Sequence, residues 1–119
     1  MPETRTYTGG CHCGKIRFEV KTELDRVLSC NCSICSKAGW LLAFVPTESF
    51  TLQSGAEVLS DYQFAKKRIH HLFCPDCGIH PFGRGIAPDG RDTWAVNARC
   101  LEGIDVEALA VTRFDGKSL

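Results

Sequence analysis

Apolar and polar residues alternate with period two along much of this chain, the mark of strands lying half-buried on a core. Residues 14–20 (GKIRFEV) set Ile16, Phe18 and Val20 against Lys15, Arg17 and Glu19. Residues 50–53, 58–64, 70–73 and 93–98 repeat the pattern, and 106–111 reads as a last strand. Residues 41–45 (LLAFV) form a continuous apolar run closed by Pro46, which predicts a buried strand. Helix periodicity is weak, and its best signal is a turn over 33–38. Gly, Pro and Asp recur at turn spacing. The pattern predicts a mostly β chain of short strands. No repeat or linker divides it, so residues 1–119 read as one domain.

A hydrophobic share of 44% suits a globular domain. Fourteen basic and fourteen acidic residues cancel, which argues against a protein held on nucleic acid by phosphate neutralisation. Lys66, Lys67 and Arg68 form the one basic run, and a run so short reads as a solvated turn. The opening MPETRTYTGG holds no apolar stretch of signal-peptide type, and no later run reaches membrane-spanning length. The expectation is a cytoplasmic protein with no membrane partner. In a reducing compartment its eight cysteines stay free to bind metal.

Seven of those eight cysteines are clustered: Cys11 and Cys13; Cys30, Cys32 and Cys35; Cys74 and Cys77. A disulfide within C-x-C or C-x-x-C is strained, whereas thiolates one or two residues apart can hold adjacent corners of one metal tetrahedron. If Cys11–Cys13 is extended, both sulfurs share a face and His12 points away. Pro75 and Gly78 shape the turn of FCPDCG. The two pairs supply four ligands, a closed structural site. The triplet supplies three, the number a catalytic zinc keeps when one position stays open. That position belongs either to water or a substrate thiol, or to Cys100 or a histidine that closes the site; a third reading is reactive thiols without metal. Ligand type alone leaves zinc and iron both open. His70 and His71 alternate across a strand, one outward and one in the core. His80, three residues past Cys77, is the candidate acid–base group.

The motifs GGCHCGKIRFEV, CNCSICSKAGWLLAFVP, FCPDCGIHPFGRG and VNARCLEG together resemble the glutathione-dependent formaldehyde-activating enzyme family, which includes centromere protein V. The resemblance covers most of the chain. It implies a β-tent-like fold of small antiparallel sheets stapled by zinc knuckles. It also implies a structural zinc on Cys11, Cys13, Cys74 and Cys77, and a catalytic or exchangeable zinc on Cys30, Cys32 and Cys35. The implied activity is formation of S-hydroxymethylglutathione from glutathione and formaldehyde, a carbon–sulfur lyase chemistry. Ser36-Lys37 stands where many members carry Arg-Lys, and IHPFGRG and VNARC are closer to the centromere-protein branch, for which the alternative is a non-catalytic zinc-stabilised binding module. A thiol-redox protein using Cys32 and Cys35 is the third reading. For an enzyme, Lys37, with Arg84 or Arg99 behind it, is the candidate for a substrate carboxylate. The oligomeric state is left open by the sequence.

Overall fold

The computed structural model of the chain describes residues 4–24, 26–63, 69–86, 89–115 and 118. Ten strands in these residues form two sheets. The smaller runs in the order β1 (Thr4–Gly10), β2 (Arg17–Glu23), β5 (Phe50–Ser54). The larger runs β10 (Ala110–Phe114), β3 (Arg26–Cys30), β4 (Leu42–Pro46), β9 (Asp92–Asn97), β8 (Phe82–Ile86), β7 (His70–Phe73), β6 (Ser60–Tyr62). Pairing is antiparallel throughout except where β10 lies parallel to β3. The mostly β class is therefore the one the alternation predicts.

Aromatic side chains join the two sheets. Phe18 of β2 and Phe50 of β5 stack at 5.6 Å and meet Phe82 of β8 edge-on at 5.4 and 5.0 Å. Phe50 also stacks on Trp94 of β9 at 4.1 Å. Phe18 and Phe82 have no exposed surface, so each contributes on the order of 2–3 kcal/mol of burial to holding the sheets face to face.

The strands depart from the sequence pattern for local reasons. The strand expected at 14–20 starts at Arg17, because Gly14 and Lys15 turn the chain behind Cys13. The run at 41–45 is buried at Leu42, Ala43 and Val45, but Phe44 is 55% exposed on the outer face. The strand expected at 58–64 is shorter, since the Val58 and Leu59 amides donate to the Gly55 carbonyl at 3.0 and 3.1 Å and close a turn. Phe64 and the run Lys66, Lys67, Arg68 lie outside the described residues. At 106–111 the chain first makes a single 3-10 turn, Val106–Ala108, capped by Asp105 accepting from the Glu107 amide at 3.1 Å, and only then enters β10.

Candidate metal centre

The pairs Cys11/Cys13 and Cys74/Cys77 sit on two knuckles of the same construction. In each, the first cysteine's amide donates to the carbonyl of an isoleucine five residues on: Cys11 to Ile16 at 3.1 Å and Cys74 to Ile79 at 3.0 Å. In each, the second cysteine precedes a glycine in the left-handed region, Gly14 at φ +85° and Gly78 at φ +77°, where a side chain would be strained. Cys11–Cys13 is thus a turn and not the extended segment expected, although His12 is exposed. Lys15 of one knuckle pairs with Asp76 of the other.

These knuckles bring four sulfurs within 4.8 Å of one another. Cys11 to Cys13 is 3.6 Å and Cys13 to Cys74 is 3.5 Å. Both separations far exceed a disulfide bond of about 2.05 Å. They approach the edge of about 3.8 Å that four sulfurs make around an ion at about 2.3 Å. The Ile16 amide donates to Cys11 Sγ at 3.4 Å, spreading thiolate charge. Desolvation works upward on Cys77, but the backbone groups of Cys13, Ile79 and His12 outweigh it and draw its pKa down to about 6. For Cys13 the Lys15 backbone acts downward, but desolvation and the Cys74, Cys11 and Cys77 sulfurs push it up to about 11. Neighbouring thiols that drive each other's pKa values apart cannot all ionise without a cation among them. The donor set and its spacing fit a zinc-sized thiophilic ion.

The triplet spans the end of β3 and the start of a one-turn helix, α1 (Cys35–Ala38). The Ser36 amide donates to the Cys32 carbonyl at 3.0 Å and the Gly39 amide to that of Cys35 at 3.0 Å, winding the loop so that the three sulfurs converge. They too lie within 4.8 Å of one another, and among the described residues no fourth Cys, His, Asp or Glu joins them. Burial raises the Cys35 thiol to about 12, against the opposing pull of the Trp40 indole. Burial also opposes ionisation of Cys32, yet the Cys35 amide and its neighbours' sulfurs lower it. Three thiols of this kind also fit a thiophilic ion, with one corner left to another ligand. Cys100 lies elsewhere: burial, then the Cys11 and Cys77 charges, raise it to about 11, and its sulfur faces the His80 carbonyl at 3.8 Å. It borders the four-thiol site and not the triplet.

Behind the triplet stands Trp40, 4% exposed. Its Nε1 makes no hydrogen bond of ordinary geometry, yet it acts on the Cys35 sulfur. Trp40 stacks on His71 at 6.1 Å and meets His80 edge-on at 5.2 Å. His71 is buried with Nδ1 against the Tyr62 carbonyl at 2.8 Å, while His70 is half-exposed and pairs with Asp61, matching the expected division. Burial, then the charge of His71, lowers the His80 pKa, and His80 Nδ1 is buried without a hydrogen-bond partner. A cavity of about 410 Å³ collects Ser33, Ile34, Lys37, Tyr62 and His80. The two polar residues expected to meet substrate, Lys37 and His80, therefore line one pocket beside the triplet. A second cavity of about 390 Å³ is lined by Ser29, Cys30, Asn31, Ser36, Arg113 and Asp115.

Of the two arginine candidates, Arg99 lines a cavity that also holds Cys11 and His80. Arg84 does not approach the triplet; it bonds Asp92 at 2.8 Å, lies over Trp94 and borders an apolar groove. Residue patterns did not single out Trp40, Tyr62, Asn97 or Arg113. Trp40 and Asn97 lie within the motifs CNCSICSKAGWLLAFVP and VNARCLEG, but neither motif assigns them a role.

The sequence model of the glutathione-dependent formaldehyde-activating enzyme family matches residues 6–110. A Penicillium rubens protein, provisionally named a glutathione-dependent formaldehyde-activating enzyme, is 30% identical over 70% of this chain. The chain spans about half of that relative, 48% of its length. A crystal structure of a Rhodobacter sphaeroides protein superposes with a TM-score of 0.77 at 29% identity, covering 88% of this chain and 99% of the other.

Proposed function

Because the chain belongs to the glutathione-dependent formaldehyde-activating enzyme family, we propose that it joins a thiol of the glutathione type to formaldehyde, and splits the adduct in reverse, as a carbon–sulfur lyase. The observation that carries this reading is the triplet: three converging thiols, no fourth protein ligand among the described residues, and a cavity beside them holding Lys37 and His80. Zinc held by Cys30, Cys32 and Cys35 would supply a soft Lewis acid that favours the thiolate form of a substrate thiol. Cys11, Cys13, Cys74 and Cys77 would hold a second, structural zinc.

Addition needs little else from the protein. The thiolate sulfur attacks the carbonyl carbon, the C–S bond forms, and the C=O π pair moves to oxygen, which then takes a proton. Lys37 at the end of α1 faces the cavity as a cation for a substrate carboxylate. His80 lines the same cavity, and with its pKa lowered by burial it is the candidate to carry a proton to the developing alkoxide. Trp40 and Phe73 both pack on the His80 ring, each at 5.2 Å, and hold its orientation. Eight free cysteines, seven of them in such clusters, suit a reducing compartment, and we place the protein in the cytoplasm. Among the described residues no helix is long and apolar enough to cross a membrane.

The test is exchange NMR of 13C-formaldehyde with glutathione. Zinc-loaded protein should accelerate exchange into the hydroxymethyl adduct, and Cys32→Ser should abolish the acceleration. No acceleration by protein carrying two zincs would make the chain a zinc-stabilised binding module.

A further inference from the structure

The second cavity beside the triplet holds two opposite charges that do not neutralise each other. Arg113, in β10, and Asp115, just past its end, both line this cavity. Asp115 is held by Asn31 Nδ2 at 2.9 Å and by Ser118 Oγ at 2.6 Å. Arg113 has no ion-pair partner among the described residues. Their position is tied to the triplet itself: β10 runs in register with β3, Phe114 opposite Cys30, and the Asn31 amide donates to the Phe114 carbonyl at 3.2 Å. Asn31 lies between Cys30 and Cys32, so the loop that carries the thiols also anchors the two charges.

We propose that this cavity is the subsite for the α-amino-acid end of a γ-glutamyl thiol, Arg113 taking its α-carboxylate and Asp115 its α-ammonium group. The inference rests on the thiol chemistry proposed for the triplet. A simple anion would meet the Asp115 carboxylate, and a simple cation would meet Arg113; a zwitterion satisfies both. A peptide whose thiol lies mid-chain needs subsites to either side of the point where the thiol is held. The triplet loop and α1 supply them: Cys30 and Ser36 face the Arg113 cavity, whereas Ser33 and Lys37 face the other. With the γ-glutamyl end beside Arg113, the glycyl carboxylate runs toward Lys37. A cavity of about 390 Å³ is roomy enough for that end.

Calorimetric titration of the zinc-loaded full chain with glutathione, γ-glutamylcysteine, cysteinylglycine and S-methylglutathione decides the matter. Arg113→Gln should weaken glutathione and γ-glutamylcysteine by about tenfold, the effect of one lost charge-assisted contact. It should leave cysteinylglycine, which lacks the γ-glutamyl group, unaffected. Asp115→Asn keeps an oxygen for Asn31 and should show the same selectivity. An equal loss for all thiols, or no loss for the γ-glutamyl ones, overturns the subsite. If wild-type protein binds S-methylglutathione as well as glutathione, the thiol reading fails separately, and the dependence of the variants on the γ-glutamyl group still decides the subsite.

Discussion

Asn97 Nδ2 donates to the His80 carbonyl at 3.0 Å, while Asn97 Oδ1 accepts from the amides of Leu41 at 3.3 Å and Arg99 at 3.1 Å. One buried amide, 7% exposed, thus joins the end of β9 to the residue after Trp40 and to the loop that carries His80. Asn97→Ala removes the side-chain acceptor of the Leu41 and Arg99 amides and leaves the His80 carbonyl only the weak Cys100 thiol, and the expected loss is on the order of 3 kcal/mol by denaturant unfolding. A loss below about 0.5 kcal/mol, the level of an ordinary surface change, would show that the amide does not organise this corner.

His80 should leave a signature in the pH dependence of stability. Burial and then the His71 charge depress its pKa below the usual 6.5, so between those two values the unfolded chain binds a proton that the native chain does not. The contribution is present above pH 6.5 and is lost as pH falls through the native pKa. His80→Gln should flatten this part of the melting-temperature profile. An unchanged slope would mean that His80 titrates normally.

The link between Lys15 and Asp76 joins the two knuckles in plain view, but both side chains are about half exposed. Exposed pairs contribute little, so Lys15→Ala should leave the melting temperature of zinc-loaded protein unchanged within error. A clear fall would transfer part of the stapling from metal to ion pair.

Cys100→Ser should leave the zinc content of the protein unaltered, since Cys100 borders the four-thiol site without joining either sulfur group. Loss of one zinc per chain in elemental analysis would make Cys100 a ligand and remove the open corner from the triplet.

The thiol clusters were legible in the sequence because ligand spacing is local: a knuckle needs two cysteines and a turn within a few residues, as in Cys74-Pro75-Asp76-Cys77-Gly78. The strands that alternate cleanly, such as β2, were legible for the same reason. The Thr-rich β1 and the Gly-containing β8 were not, because their pairing comes from neighbouring strands and not from their own pattern. Lys37 and His80 could each be picked by chemistry, but only the fold shows that they share a cavity. Arg113 gave no signal at all. It reaches the triplet because β10 returns to lie parallel to β3, and the Asn31–Asp115 bond spans 84 positions; no local pattern encodes such a contact.

Two thiol sites of unequal consequence are the centre of the account, and counting zinc per chain while following the fold tests it most directly. A four-thiolate zinc contributes on the order of 10 kcal/mol or more to folding, which matches the whole stability of a typical small domain of about 5–15 kcal/mol. The triplet closes only a short loop. Cys11→Ser or Cys77→Ser should therefore give unfolded or insoluble protein. Cys32→Ser should melt near the wild-type temperature with one zinc in place of two. Equal collapse of both kinds of variant, or two zincs retained in Cys32→Ser, would contradict the division into a structural and an exchangeable site.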